Sequence, residues 1–218
     1  MIDYWRVFTG KNVWIAPSAI ILGDVTIGDD VYIGHNTVIG TPPEHGTRHY
    51  AVSGEPHGTH IVIGSGTEIR ENVTIHAPMA VDGITTIGAN CILMSHSHIG
   101  HDVTLADDVK VCTGAVLGGY TKAHKGANIG LNATTHQFST VGAYAMIGMG
   151  SVVTKDVPPC GLVYGNPAKL HAANRVGLAR AGYAWDSTEL FAAKLAWDQT
   201  FLADSTREVM AFETENHK

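Results

Sequence analysis

No stretch of this chain approaches the roughly eighteen consecutive apolar residues that a membrane span needs. Its first residues, Met1-Ile-Asp-Tyr-Trp-Arg6, carry no apolar run of the kind found in secretory signals. A soluble cytoplasmic protein is the expectation. Basic charge is not in excess either. The formal net charge of −6 argues against general nucleic-acid binding. Cysteine is scarce and odd in number, and Cys91, Cys112 and Cys160 follow no metal-ligand spacing. Aromatic residues make up only 7% of the chain, so any core must be filled by aliphatic side chains. At 218 residues there is room for one sizeable core and an appendage.

What is present is a period. From Ile87 an aliphatic or small residue returns every six positions, through Leu93, Ile99, Leu105, Val111, Leu117, Ala123, Ile129, Thr135, Val141, Ile147 and Val153. The residue four further on is small or β-branched, as at Cys91, Ser97, Val103, Ala115 and Thr121. Glycine often follows the aliphatic residue, as at Gly88, Gly100 and Gly118. The same phase holds at Ile15, Ile21, Ile27, Ile33 and Ile39, and again at Ile63, Ile69 and Ile75. A period of six suits neither an amphipathic helix nor a strand of strict alternation. It predicts an all-β chain, a parallel β-helix of hexapeptide repeats from about residue 11 to about 155. Three hexapeptides form one triangular coil. Residues eighteen apart then stack at roughly 4.8 Å. Glycine is expected at the corners, where positive φ is needed.

Two stretches break the rhythm. Residues 41–60 hold three prolines and several histidines, and residues 77–83 make a shorter interruption. Insertions in repeat proteins map to surface loops that often build the binding face. After Val153 the texture changes. The chain divides into a β-helix domain over 1–167 and a C-terminal helical region over 168–218. In the latter, Asp186 or Ser187 is a reasonable N-cap and Leu190, Leu195, Phe201 and Leu202 form a rough apolar stripe.

Thirteen histidines are many for this length. His96, His98 and His101 crowd one segment, with Asp102 following. Histidine titrates near neutrality and suits the removal of a proton from a hydroxyl or amine nucleophile. His101 falls near a corner, outside the packed interior. One coil later lies Gly119, in the pair Gly118-Gly119. A bare backbone N–H stacked one coil from a histidine can hold an oxyanion while the histidine acts as base. Clustered histidines also hold zinc. His96 and His101, five apart, with His76 upstream, form the alternative set, that of a carbonic-anhydrase-like lyase. A catalytically silent trimeric β-helix serving in binding is the third reading.

The segments EIRENVTIH, LMSHSHIGHD, Leu117-Gly-Gly119, HQFSTVG and DVPP…GNPA resemble the acyl-carrier-protein-dependent UDP-N-acetylglucosamine O-acyltransferases of lipid A synthesis and related nucleotide-sugar N-acyltransferases. The resemblance covers roughly residues 13–183. It implies a left-handed coil and a homotrimer with active sites in the clefts between prisms. It also implies no metal and no bound cofactor, with acyl-carrier protein or coenzyme A carrying the acyl group and a nucleotide-linked sugar accepting it. By the same resemblance His101 is the general base, Asp102 the acid beside it, and Gly119 the oxyanion donor. His76, His98, His136 and Gln137 line the cleft, and Asn174 and Arg180 contact the nucleotide portion.

The chain also departs from that pattern. Tyr120 replaces the histidine that usually follows the oxyanion glycine. Ala181 stands where a second arginine is usual, and Val176 replaces an acidic residue. In the first loop, the acidic and lysine contacts become Thr47 and His49. Met149 sits where long-chain members keep a glycine, which predicts a short or medium acyl chain. Thr154-Lys155-Asp156 reads more like transferases that use acetyl-CoA.

Overall fold

The computed structural model of the chain describes residues 7–44, 60–79, 82–180 and Gly182. Among the described residues it winds through three sheets of seven, nine and seven strands, laid along the faces of a left-handed β-helix. The strands are mostly two residues long because a six-residue side leaves room for little more than a turn. Pairing is parallel along the prism, in the register the period predicts. Ile87 pairs with Leu105, Leu93 with Val111 and Ile99 with Leu117.

The interior is one aliphatic stack. Ile27, Ile33, Ile39, Ile63, Ile69, Ile75, Ile87, Leu93, Ile99, Leu105 and Leu117 are all essentially without exposure. Burying each such side chain stabilises the fold by about 1.5–3 kcal/mol. The small phase shares the interior, with Cys91, Val103, Ala115 and Thr121 likewise buried. Both insertions interrupt only the corner. Ile27 pairs across the first with Ile63, and Ile63 pairs across the second with Ile87, so the coils close on either side of them.

One sequence expectation is corrected here. Gly40 apart, the glycine after the aliphatic residue is not the positive-φ residue of the corner. Positive φ falls two positions later, on Gly66, Gly114, Gly126 and Gly150 as expected of glycine, but also on non-glycine residues such as Asn90, His96, Asp102, Asn132 and Tyr144. The glycines that follow the aliphatic residue answer a different need, the close approach of the next coil. A Cβ at Gly88 would lie 2.5 Å from the carbonyl carbon of Ala106, and one at Gly100 would lie 2.7 Å from the Leu117 oxygen. Asn and Asp tolerate the left-handed conformation better than other non-glycine residues, which explains their frequency at the true turn position.

The last coil loosens after Val153. The strands Gly161–Gly165 and Ala168–Ala173 form an antiparallel hairpin on the end of the second sheet. A strand therefore stands where the sequence suggested that a helical region begins, and a single helical turn and a half follows, Arg175–Arg180. Asp186, Ser187, the apolar stripe beyond them, Thr47 and His49 lie outside the described residues.

Candidate active site

One edge of the prism, where the third sheet turns into the first, collects the chemistry. The strands His98–Ile99, Val116–Leu117 and Thr134–Thr135 end there. The turn residues after them stack in two columns, His101 under Gly119 under Gln137, and Asp102 under Tyr120 under Phe138. The second column has left-handed backbone throughout, at φ 57°, 60° and 65°. Both insertions leave from this same edge, after Thr41 and after His76.

His101 Nδ1 lies 2.8 Å from Asp102 Oδ2. Beside a carboxylate Nδ1 carries the proton and donates it, which leaves Nε2 as a free acceptor. A Cβ built on Gly119 would lie 2.5 Å from both Cε1 and Nε2 of His101. The imidazole therefore rests on the bare backbone of residue 119, and only glycine permits it. At equivalent turn positions a side chain one coil on caps the backbone N–H. Lys11 donates to Asp29 at 2.7 Å, Asp29 to Ser65 at 3.0 Å and Ala89 to Asp107 at 2.8 Å. Gly119 N–H has no such acceptor among the described residues. It is an open donor next to an open base.

Asp102 is held from below by contacts that the sequence did not announce. Met79 N–H, in the second insertion, donates to Asp102 Oδ2 at 2.8 Å. The Asp102 N–H donates to Thr85 Oγ1, and the Thr85 hydroxyl donates to the His76 carbonyl, both at 3.0 Å. Thr85 is fully buried, so its hydroxyl has no recourse to water. The signal was available for Thr85. Counting back eighteen from Val103 reaches it directly. For the Met79 N–H nothing in the sequence served.

His76 and His98 meet edge to face, ring centroids 4.7 Å apart, and His98 Nδ1 pairs with Thr74 Oγ1 at 2.7 Å. Burial first, then the neighbouring His98, pushes His76 down to about 4 against the pull of Glu44. Burial likewise lowers His98. Both imidazoles are thus biased toward the neutral form, His76 in the coil below the His101–Asp102 pair and His98 in the same coil. Above it, Tyr120 packs its ring edge-on to His101 at 5.1 Å and stacks on Phe138 at 4.7 Å. His136 and Gln137 stay on the exposed surface of this edge, with His136 Nδ1 2.9 Å from the Gln137 carbonyl.

The model of bacterial transferase hexapeptide repeats (six repeats) matches residues 6–41 and 84–119. The acyl-[acyl-carrier-protein]–UDP-N-acetylglucosamine O-acyltransferase of Nautilia profundicola is 35% identical over 191 residues, 85% of this chain and 71% of that protein. The chain belongs to the UDP-N-acetylglucosamine O-acyltransferase family. A solved UDP-N-acetylglucosamine acyltransferase from Campylobacter jejuni superimposes with a TM-score of 0.76 at 30% identity, over 88% of this chain and 72% of the other. The Burkholderia lata enzyme of the same name is 35% identical over 162 residues, 74% of this chain, and the chain spans only 60% of its length.

Within this acyltransferase family the remaining positions read as follows. Met149 lies on another edge, where the second sheet turns into the third, and is 74% exposed. It is no core filler. Leu131, one coil before it, is exposed as well, so the two make a short apolar step on the surface. Arg180 is an exposed residue at the end of the helix Arg175–Arg180. Asn174 is committed to structure. Its Oδ1 accepts the Gly177 N–H at 3.0 Å as an N-cap, and its Nδ2 donates to the Tyr144 carbonyl at 2.9 Å. The zinc alternative does not survive the geometry, because His96 and His101 turn up on different edges. Among the described residues no three His, Cys, Asp or Glu side chains converge as metal ligands, and no helix is long and apolar enough to cross a membrane.

Proposed function

We propose that this chain transfers an acyl group from an acyl-carrier-protein or coenzyme A thioester to a hydroxyl or amine of a nucleotide-linked sugar. The observation that carries the reading is the His101 imidazole seated on Gly119, with Nε2 and the Gly119 N–H both open. Nε2 takes the proton of the acceptor group as that group attacks the thioester carbonyl. The Gly119 N–H stabilises the oxyanion of the tetrahedral intermediate. As the intermediate collapses the carbon–sulfur bond breaks, and the imidazolium returns its proton to the departing sulfur. Asp102 holds the tautomer and stabilises the imidazolium. A positioned base is worth about 10²–10⁴ in rate and one oxyanion donor about 10²–10³.

The names of the relatives support an acyl-carrier protein and a UDP-sugar as co-substrates. A cytoplasmic setting goes with them. A homotrimer fits two features of the surface. The outward residues of the third sheet (Ile20, Val38, Thr74, His98, Val116, Thr134 and Val152) carry no formal charge at neutral pH. Exposed Met149, on a different edge from His101, reaches a His101 cleft when it belongs to a neighbouring prism. There it limits the acyl chain to short or medium length, while His76, His98, His136 and Gln137 line the acceptor side and Arg180 meets the nucleotide. The division into a β-helix domain and a C-terminal region is kept, with the hairpin strand Ala168–Ala173 as the first element of the latter.

The test is mass spectrometry of products. The protein is offered UDP-N-acetylglucosamine and its 3-amino analogue, with acetyl-CoA and a ladder of 3-hydroxyacyl-carrier proteins. A short- or medium-acyl adduct formed by the wild type supports the reading. No adduct from any pair contradicts it.

A further inference from the structure

Tyr120 has a position that the reaction just described does not use. It takes the place of the histidine that usually follows the oxyanion glycine in the family it resembles, yet its contacts point inward. Its ring stands at 89° to the His101 imidazole, and Phe138 lies parallel behind it at 5°. Its N–H donates to the His101 carbonyl at 2.9 Å, so its backbone is tied to the same turn. The Asp102 carboxylate lies within electrostatic reach of its hydroxyl. Burial, then the Asp102 charge and a hydrogen bond with it, push the phenol up and keep it protonated.

The carboxylate has room for that donor. Met79 N–H and His101 Nδ1 both take Oδ2, at 2.8 Å each, and the Asp102 side chain is only 9% exposed. Leaving a carboxylate oxygen without a donor in so enclosed a place is costly. Among the described residues, the groups that face the His101–Asp102 pair are the Met79 N–H from the second insertion, Tyr120 from the coil above, and His76 from the coil below, with His98 and Glu44 beyond it.

We propose that Tyr120 is a positioning residue, its hydroxyl donating to Asp102 and its ring, backed by Phe138, holding His101 with Nδ1–H on the carboxylate and Nε2 over Gly119. The proposal rests on the acyltransfer reading for its consequence, but not for its geometry. Each hydrogen bond that Asp102 accepts draws charge away from His101. Removing the Tyr120 hydroxyl therefore strengthens the pull of Asp102 on the imidazolium and makes His101 more basic.

The test is a histidine NMR titration of the intact protein, with the His101 signal identified by His101→Gln. Tyr120→Phe keeps the stack on Phe138 and so keeps the fold. The expected result is an Nδ1–H tautomer in the wild type and a His101 pKa higher by about half a pH unit in Tyr120→Phe, a threefold gain in proton affinity. His76 and His98 titrate as before, and Phe138→Ala moves His101 in the same direction by less. In acyl transfer, kcat falls with KM little changed, and the acid limb of the kcat profile moves up with the NMR value. An unchanged His101 titration, or an Nε2–H tautomer in the wild type, overturns the proposal. If His101 shifts as expected but the wild type transfers no acyl group, the positioning stands and the acyltransfer reading falls.

Discussion

Gly118 and Gly119 are neighbours, and replacing each by alanine separates catalysis from stability. A Cβ at residue 119 meets only the far end of the His101 ring, at 2.5 Å from Cε1 and Nε2 and 3.0 Å from Cδ2. Ordinary contact begins at 3.4 Å, so the imidazole must retreat by about 1 Å. It can do so, since the His101 side chain is 17% exposed and swings toward solvent. The fold then loses less than about 1 kcal/mol. A displacement of that size in a catalytic group costs about 10²-fold in rate. A Cβ at residue 118 meets backbone instead, 2.6 Å from the Gln137 nitrogen and 2.9 Å from the Thr135 oxygen. Backbone in the next coil cannot swing aside, so Gly118→Ala costs about 1–3 kcal/mol. At about 2–4 °C per kcal/mol its melting temperature drops by several degrees. The assay pairs thermal unfolding with steady-state acyl transfer on both variants. A Gly119→Ala enzyme within threefold of wild-type kcat refutes the reasoning, as does one that melts as early as Gly118→Ala.

Three other outcomes follow from particular contacts. Met149→Gly lengthens the acyl chain accepted, read as a shift of the preferred donor on an acyl-carrier-protein ladder; an unchanged preference removes Met149 from the acyl site. Thr85→Val leaves the Asp102 N–H and the His76 carbonyl without partners, which lowers stability by about 1–3 kcal/mol and reduces kcat, measured by urea unfolding and turnover. His76 is held near 4 in the fold, below its ordinary 6.5, so the unfolded chain binds the extra proton between those values. Stability contributed by neutral His76 is therefore full above pH 6.5 and lost as pH falls toward 4, by up to about 3 kcal/mol. His76→Gln flattens that part of the urea-midpoint curve, whereas a parallel curve assigns the acid loss to other groups.

The architecture was legible because one physical demand, an aliphatic side chain pointing inward every six residues, recurs from Ile15 to Val153. The pairing of His101 with Gly119 was legible for the same reason, since residues eighteen apart must stack. Spacing misled where it crossed a corner. His96 and His101, five apart, sit on different edges because each hexapeptide turns the chain by one face. The corner chemistry was legible only in part because glycine serves two purposes: most of those that follow the aliphatic residue provide close approach, while Gly114 and Gly126, like Asp102, Tyr120 and Phe138, take the left-handed conformation. The support of Asp102 by Met79 lay beyond reach, since an insertion suspends the register that places residues. Asn174 reads as a nucleotide contact by resemblance, and its two hydrogen bonds make it a cap.

The central claim is that His101 is the base, and it is met most directly by comparing the single-turnover acyl-transfer rates of wild type and His101→Ala. Both are measured with the donor and acceptor that the wild type uses, after unfolding curves confirm the same stability. The account predicts a loss of about 10²–10⁴ in the mutant, with the residual rate independent of pH across the range where histidine titrates. A mutant within tenfold of wild type, following the same pH profile, would contradict it.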